Sequence, residues 1–321
     1  MSRIKLISVL LIICSMVIQA QHTGRLRGFV TDSTNGEALA YSNVFIEEAK
    51  MGTSTDEKGF FIISGIPGGK TYKVKISYVG YESKSIRVAV SNNNITHINV
   101  KLSPSSMQLN QVEKIGERII EKNSTDIGLT RISMKELEVL PKGVETDVLR
   151  SLQYLPGVRS TGDISARYYV RGGASNQNMV LLNNVPLYNP FHALGIFSVV
   201  DPDMINNVEF FKGGFTSEYG GRLSSVLRMI TKDGNKNKLS FKANASFLSV
   251  KTLFEGPIPH GSFVFTARKS YSNEILRKFV NNQNAPFDFH DISFKINYSN
   301  PDFIGGSKFE LHSFISGDKL D

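Results

Sequence analysis

Cysteine is almost absent from this chain of 321 residues, which contains one, Cys14. It lies in an N-terminal apolar segment that we expect to be removed, so the remaining chain would hold no thiol. That excludes disulfides and thiolate metal sites and suits an oxidising compartment, where free thiols are a liability. A lipoprotein signal would need a small residue before the cysteine. Ile13 stands there, so we expect no lipidation.

Catalytic and metal-binding patterns are also lacking. None of the histidines has a glutamate or second histidine at the short spacing that zinc sites use. The six are His22, His97, His192, His260, His290 and His312. No nucleophile elbow, Walker loop or dinucleotide fingerprint occurs. We therefore expect no enzymatic activity, no metal and no cofactor.

Charge of one sign is not concentrated anywhere. The formal net charge is +8, but the basic residues are scattered among acidic ones. Nucleic-acid binding calls for a clustered basic patch or run. The pattern instead indicates a solvated surface, and no nucleic-acid partner is expected.

The only long apolar run is Leu6 to Ile18. Arg3 and Lys5 precede it, and Ile18-Gln19-Ala20 follows as a cleavage sequence, so residues 1–20 are predicted to be a signal peptide. A buried N-terminal helix is the alternative interpretation. The run is shorter than the about 20 residues of a permanent membrane helix, and no transmembrane helix is expected after it.

Residues 21–102 show the period of two that half-buried strands produce. Tyr72 to Tyr78, Ile86 to Val90 and His97 to Leu102 each alternate apolar with polar residues. Further strands fit Leu26 to Thr31, Asn43 to Glu47 and Phe60 to Ile63. Short strands separated by turn residues at this spacing predict a β-sandwich of about seven strands. His97 falls on a polar phase and is expected to be exposed, and Gly59 to take a positive φ in a turn.

The middle of the chain mixes helical and strand patterns. Ser133 to Glu136 fits a capping box, followed by core positions at Met134 and Leu137. Val144 to Tyr154 predicts a second helix whose buried stripe is Val144, Val148 and Leu152, with Leu149 alongside.

Strands are predicted in the same region at Tyr168 to Arg171, Met179 to Leu182 and Val208 to Lys212. Asn183-Asn184 indicates a tight turn, because asparagine tolerates positive φ. Asp201-Pro202 is typical of a helix start. Short helices interleaved with strands predict an α+β domain with a small mixed sheet.

Residues 235–321 alternate over longer stretches, as membrane-spanning strands do. Four strands are predicted: Leu239 to Phe247, Phe263 to Ala267, Ile292 to Tyr298, and one around Phe309 to Leu311. Gly256-Pro257 and Asn300-Pro301 are expected to be turns. Four strands cannot close a barrel, and open edges in hydrocarbon leave backbone groups unsatisfied. We therefore expect the chain to be a fragment, split gene or truncation; an ordinary soluble β-domain is the alternative.

Tyr169 to Thr231 resembles the plug domain of TonB-dependent outer-membrane receptors. The resemblance is carried by ordered motifs: Val170-Arg171-Gly172, Val180 to Pro186, Val208 to Gly213, Tyr219-Gly220 and the β-rich run into Thr231. A second segment resembles the carboxypeptidase-regulatory-like domain that precedes the plug in Bacteroidetes-type receptors. Its motifs are Gly28 to Asp32, Asn43-Val44, Gly52-Thr53, Thr55 to Phe61 and Tyr78 to Glu82.

These resemblances imply a fold of three parts: an all-β sandwich, an α+β plug domain, and the first few strands of an incomplete transmembrane β-barrel. The implied boundaries are 1–20 for the signal peptide, 21–102 for the sandwich, 103–125 for a linker, 126–234 for the plug and 235–321 for the barrel strands.

The linker holds a segment that resembles the TonB box, which pairs as an added strand with TonB. It comprises Leu109, Asn110, Gln111, Val112, Glu113, Lys114 and Ile115. It departs from the usual acidic, valine-rich pattern, and an ordinary linker or first plug strand is the alternative. The resemblance also makes Arg171, Glu209, Glu218 and Arg222 candidates for polar contacts between plug and barrel.

The implied function is TonB-energised import of a scarce solute, gated by the plug, in the outer membrane. The plug and N-terminal domain would face the periplasm. Partners would be TonB with its inner-membrane energising complex, outer-membrane lipid and, where one exists, a surface lipoprotein. The alternative from another class is a periplasmic or surface binding module that transports nothing, or a non-functional gene product. The imported substrate is not identified by the sequence.

Overall fold

The computed structural model describes residues 23–105, 128–139, 145–161, 165–192, 195–246, 249–271, 288–300 and 307–319. The predicted signal peptide and the candidate TonB box lie outside the described residues. Within them, no helix combines the length and the apolarity needed to cross a membrane.

Residues 23–102 fold into two facing sheets. The strands are β1 Thr23–Asp32, β2 Asn43–Ile46, β3 Met51–Ser54, β4 Phe60–Pro67, β5 Lys70–Ser77, β6 Lys84–Val90 and β7 Ile95–Leu102. One sheet has the order β4-β1-β7 and the other β3-β2-β5-β6. β1 and β7 run parallel, and the other pairs are antiparallel. The predicted sandwich is confirmed.

The sandwich core follows from the alternation. Val74 and Ile76 are fully buried between the sheets, with Leu26, Val30 and Phe61 from the opposite sheet. β3 is the strand that the sequence did not predict. It is an edge strand in which no side chain is fully buried, so its sequence carries no alternation signal.

Two local predictions in the sandwich are confirmed. His97 is exposed, and Gly59 has a φ of 72° in the turn before β4. A Cβ on Gly59 would lie 2.5 Å from the carbonyl oxygen of Val30, so glycine is required there by space as well as by φ.

The plug is an α+β unit around a five-stranded mixed sheet of order β12-β11-β16-β15-β8. Its strands are β8 Leu129–Ser133, β9 Val158–Ser160, β10 Tyr168–Val170, β11 Asn178–Leu182, β12 Val185–Pro186, β13 Phe191–His192, β14 Phe197–Ser198, β15 Ile205–Phe211 and β16 Ser225–Thr231. Helices are α1 Met134–Val139 and α2 Val148–Ser151, with 3-10 turns at Leu152–Tyr154, Ser175–Gln177 and Pro202–Met204. β11 and β16 are parallel, which makes the sheet mixed as predicted.

The predicted caps and turn of the plug are confirmed. The backbone amide of Ser133 donates to Glu136 at 2.7 Å, and the Ser133 hydroxyl accepts from the amide of Glu136 at 3.3 Å. Asn183 and Asn184 have φ values of 47° and 67°. Asp201 accepts from the amide of Asp203 at 3.0 Å.

The second helix is shorter than predicted. α2 begins at Val148 because the carboxylate of Asp147 caps it, accepting from the amide of Arg150 at 3.0 Å. Residue 144, the predicted start, lies outside the described residues. The buried stripe of Val148, Leu149 and Leu152 is confirmed.

The described residues between 240 and 319 contribute to one antiparallel sheet with strands in sequence order. The strands are β17 Ser240–Ala245, β18 Ser249–Ile258, β19 Gly261–Ser270, β20 Asp288–Asn300 and β21 Ser307–Lys319. The described part of this segment therefore contains five strands, where four were predicted. The additional one is β18, and Gly256-Pro257 lies inside it rather than in a turn, which falls at residues 259–260.

Proline is tolerated in β18 because of its position. The pairing with β17 begins at Ser240 and Glu255, so Pro257 lies beyond that neighbour. At this point β18 is paired on its β19 side only, where Pro257 faces Ser262. Proline is compatible with such a position because its nitrogen can face the unpaired side, where no ladder hydrogen bond is lost.

Candidate functional site at the two interfaces of the plug

A row of charged side chains crosses one face of the plug sheet. Glu209 on β15 is the direct cross-strand neighbour of Arg131 on β8 and of Arg228 on β16. Its carboxylate lies 3.2 Å from Arg131 Nε and 2.9 Å from Arg228 Nη1. The sheet register therefore builds an alternating line of positive, negative and positive charge.

The sandwich extends this row. Arg228 also pairs with both carboxylate oxygens of Glu57, with Nη2 at 2.9 Å from Oε2. The Tyr41 hydroxyl donates to Glu209 at 2.7 Å, and the Arg131 guanidinium lies 4.5 Å from the centre of the Tyr41 ring. We call Glu57, Arg228, Glu209, Arg131 and Tyr41 the charge row.

Burial and hydrogen bonding act in opposite directions on Glu209. Burial alone would raise the pKa of its carboxyl, but donation from Tyr41, Arg228 and Arg131 lowers that pKa below its ordinary value. Burial raises the pKa of Tyr41 above its ordinary value, and the neighbouring Glu209 adds to the effect. The carboxylate of Glu209 is therefore held ionised by one neutral donor, Tyr41, and two cationic donors.

A second contact joins the sandwich to residues 233–237, which we call the junction segment because they connect β16 to β17. The carboxylate of Glu37 accepts from the amide of Asp233 at 2.9 Å and from Asn206 Nδ2 at 3.1 Å. The amide of Lys236 donates to the carbonyl of Asn35 at 2.8 Å. Burial, followed by the charge of Asp233, raises the pKa of Glu37 to about 7.

The third contact is between a sandwich turn and helix α1. The Lys135 ammonium lies 3.7 Å from the centre of the Tyr81 ring and 3.3 Å from the carbonyl oxygen of Gly80. All three contacts use turns at the same pole of the sandwich, after β1, β3 and β5. The sandwich thus stands end-on against the plug.

The plug also contacts the sheet of β17 to β21, which we call the strand sheet, again through polar groups. His192 is fully buried, with its ring nitrogens 2.7 Å from Asp291 Oδ1 and 2.8 Å from Asp318 Oδ1. Its ring stacks on Phe289 at 4.5 Å between centroids.

Arg268 ties this cluster to the plug backbone. Its guanidinium binds Asp291 at 2.6 Å and donates to the carbonyl oxygen of Ser198 at 2.6 Å. Two lysines of the strand sheet reach the plug and the junction segment. Lys251 lies 2.7 Å from Asp203, and Lys295 lies 3.1 Å from Asp233.

The strand sheet has two faces of opposite character. Ser262, Thr266, Arg268, Asp291, Ser293 and Lys295 are each at most 5% exposed, and several of them bind the plug as described. The other face carries Phe241 at 65%, Phe309 at 57% and Ile315 at 58% exposure. One face thus covers several charged side chains while the other leaves large apolar ones bare, the reverse of a sheet in a water-soluble protein.

The four predicted plug-barrel contact residues are not brought together. Glu209 lies in the charge row, where its contacts are with sandwich and plug groups. Arg171, Glu218 and Arg222 are exposed, with Arg171 at a φ of 48° and Glu218 accepting from the Thr216 hydroxyl at 2.9 Å. Their role as barrel contacts stays a prediction, as does the TonB box at Leu109 to Ile115, which lies outside the described residues.

Sequence reasoning missed the residues that actually join the three parts. Lys295 occupies a polar phase of a predicted strand, and Arg268 continues the polar phase one residue beyond another, so the alternation could have identified them as plug-facing. Glu57 and Glu37 carry no such signal, because their partners lie 171 and 196 residues away. Among the described residues, no group of three or more histidine, cysteine or acidic side chains could hold a metal.

Two family models match the chain. The CarboxypepD_reg-like domain matches residues 26–113, and the TonB-dependent Receptor Plug Domain matches residues 121–225. Both resemblances expected from the sequence are confirmed: the chain carries a CarboxypepD_reg-like domain followed by a TonB-dependent receptor plug domain. The first match runs into the candidate TonB box, since it ends at residue 113. The plug match belongs to a family of receptors and not of enzymes.

Similar solved structures include the siderophore receptor PirA from Acinetobacter baumannii. It is 19% identical, with a TM-score of 0.41 over 60% of this chain and 32% of that chain. A mutant of the ferric enterobactin receptor PfeA from Pseudomonas aeruginosa is 17% identical, with a TM-score of 0.43 over 61% and 33%. The chain spans about a third of the length of these receptors. No curated protein matches it.

Proposed function

We propose that this chain is the N-terminal part of an outer-membrane receptor that imports a scarce solute with energy supplied through TonB. In this role the plug closes a pore formed by the strand sheet and its continuation. The signal peptide directs export, and the plug and sandwich face the periplasm. TonB would pair with the linker, and lipid would cover the apolar face of the strands.

The observation that carries this proposal is the arrangement of the two faces of the strand sheet. A sheet whose charged face is buried by its own plug, and whose aromatic face is bare, leaves that apolar face to be covered from outside. An apolar band of this kind is the lipid-facing side of an outer-membrane strand sheet. The plug then occupies the polar side, where a pore would otherwise be open.

Growth under nutrient limitation tests the proposal. A strain lacking the gene would be grown on iron chelates, cobalamin, oligosaccharides and peptides, each as a limiting nutrient. We expect a defect on one class, restored by the full-length gene and dependent on TonB. Equal growth on every class, or recovery of the protein outside the outer-membrane fraction, would contradict the proposal.

A further inference from the structure

The junction segment is held from two sides at once. On one side the sandwich accepts from the Asp233 and Lys236 amides through Glu37 and Asn35. On the other, Asp233 receives the Lys295 ammonium at 3.1 Å, and its carbonyl accepts from Ser262 at 2.7 Å and from Asn297 at 3.1 Å. Gly234 is pressed against β19, where a Cβ would lie 2.3 Å from the carbonyl oxygen of Phe263. The junction segment is thus fastened to the strand sheet.

The same sandwich is fastened to the plug by the charge row and by the Lys135 contact. The sandwich therefore contacts two parts of the molecule: the plug sheet, and the junction segment that is bound to the strands. Any movement of the plug relative to the strands must break sandwich contacts on one side or the other.

We propose that the sandwich is a retainer of the plug: docked end-on, it stabilises the seated position of the plug against the strand sheet. The inference rests on the proposed function only in taking the plug as the part that moves. It assigns to the N-terminal domain a role in setting how readily the plug leaves.

Exchange of backbone amides measures two contacts separately. Docking is the contact of the sandwich with the plug and the junction segment, and seating is the contact of the plug with the strand sheet. Docking protects the Asp233 and Lys236 amides, whose acceptors lie in the sandwich. Seating protects residues 195–204. In this segment the amides of Val199 and Met204 donate backbone hydrogen bonds, and the segment contacts Arg268 and Leu253 of the strand sheet. Hydrogen exchange of peptides covering 232–237 and 195–204 therefore measures the two events in one experiment.

The test uses the full-length chain in outer-membrane vesicles. Glu57→Arg places a cation against Arg228, and the matched control is Glu47→Arg. Glu47 pairs with Lys73 at an exposed position at the opposite pole of the sandwich, where such a pair contributes little. We expect Glu57→Arg to speed exchange roughly threefold or more at both peptides, and the control to change neither.

A reversible covalent lock supplies the second variant. A Cβ on Gly80 would lie 3.7 Å from the Cβ of Lys135, within the range of disulfides. Gly80→Cys with Lys135→Cys, added to Glu57→Arg, should restore slow exchange at 195–204 when oxidised and lose it when reduced. The reduced form controls for strain at the positive φ of Gly80.

Three outcomes would overturn the retainer role: exchange at 232–237 rises while 195–204 stays at the control rate, neither peptide responds to Glu57→Arg, or the oxidised lock leaves 195–204 fast. Failure of uptake in the growth assay would count against the proposed function instead. The exchange experiment would still decide whether docking holds the plug.

Discussion

At the scale of single residues, Glu37 is a buried carboxyl whose proton is linked to docking. Its pKa is raised from 4.5 to about 7 by burial and by Asp233, with Lys236 and Lys232 opposing. Undocking would remove the neighbouring Asp233 and the junction segment that covers Glu37, so we expect the pKa of Glu37 to fall back toward its ordinary value. Between these values the docked state binds more protons, so docking is strongest below about pH 4.5 and weakens until about pH 7.

We predict that Glu37→Gln removes this pH dependence. Glutamine keeps the acceptor for Asp233 and Asn206 but carries no titrating proton, so docking should be stronger than in the wild type at neutral pH. The measurement is exchange of the 232–237 amides from pH 4.5 to 7.5, corrected for intrinsic rates. A slope in the variant equal to that of the wild type would show that another group titrates.

Glu209 is predicted to matter more than the other acidic candidate of the plug. Glu209→Ala leaves Arg131 and Arg228 without their shared carboxylate, at a cost of about 2 kcal/mol to the plug sheet. The matched control is Glu218→Ala, an exposed position expected to change stability by less than about 0.5 kcal/mol. Exchange of the β15 and β16 amides gives both values, and equal effects would remove the structural role of the charge row.

At the scale of elements, the alternating strands were predictable and their partners were not. Period two fixes which face of β19 or β20 is polar, and that face meets the plug. β18 was missed because Gly256-Pro257 has the composition of a turn, and only the register shows that β17 does not extend alongside Pro257. The same limit applies to α2, whose start depends on the Asp147 cap rather than on the apolar stripe.

The candidate TonB box gives the prediction for the linker. Proline removes a backbone donor and fixes φ, so Val112→Pro should abolish strand pairing with TonB, whereas Val112→Ala should be milder. In cells carrying the full-length receptor, ligand binding at the surface should persist while uptake is lost. Continued uptake would place the coupling segment elsewhere, and Ile119 to Asp126 would be tested next.

At the scale of the whole molecule, the sandwich is predicted to fold by itself. Its core of fully buried Leu26, Ile46, Ile66 and Ile76 closes between its own two sheets, and its contacts with the plug are polar. Residues 23–105 expressed alone should be a soluble monomer with a cooperative unfolding transition and a β-rich far-UV spectrum. An unordered spectrum, or a need for detergent, would mean that the plug supplies part of the core.

The parallel pairing of β1 with β7 has a geometric consequence for labelling. Because the first and last strands run in the same direction, the chain enters the domain at one pole and leaves it at the other. Asp32 and Leu102 both lie at the pole that meets the plug, while Thr23 lies about 30 Å away, the length of a ten-residue strand. A fluorophore or affinity tag placed ahead of Thr23 would therefore stand clear of the plug and could follow the domain without disturbing it.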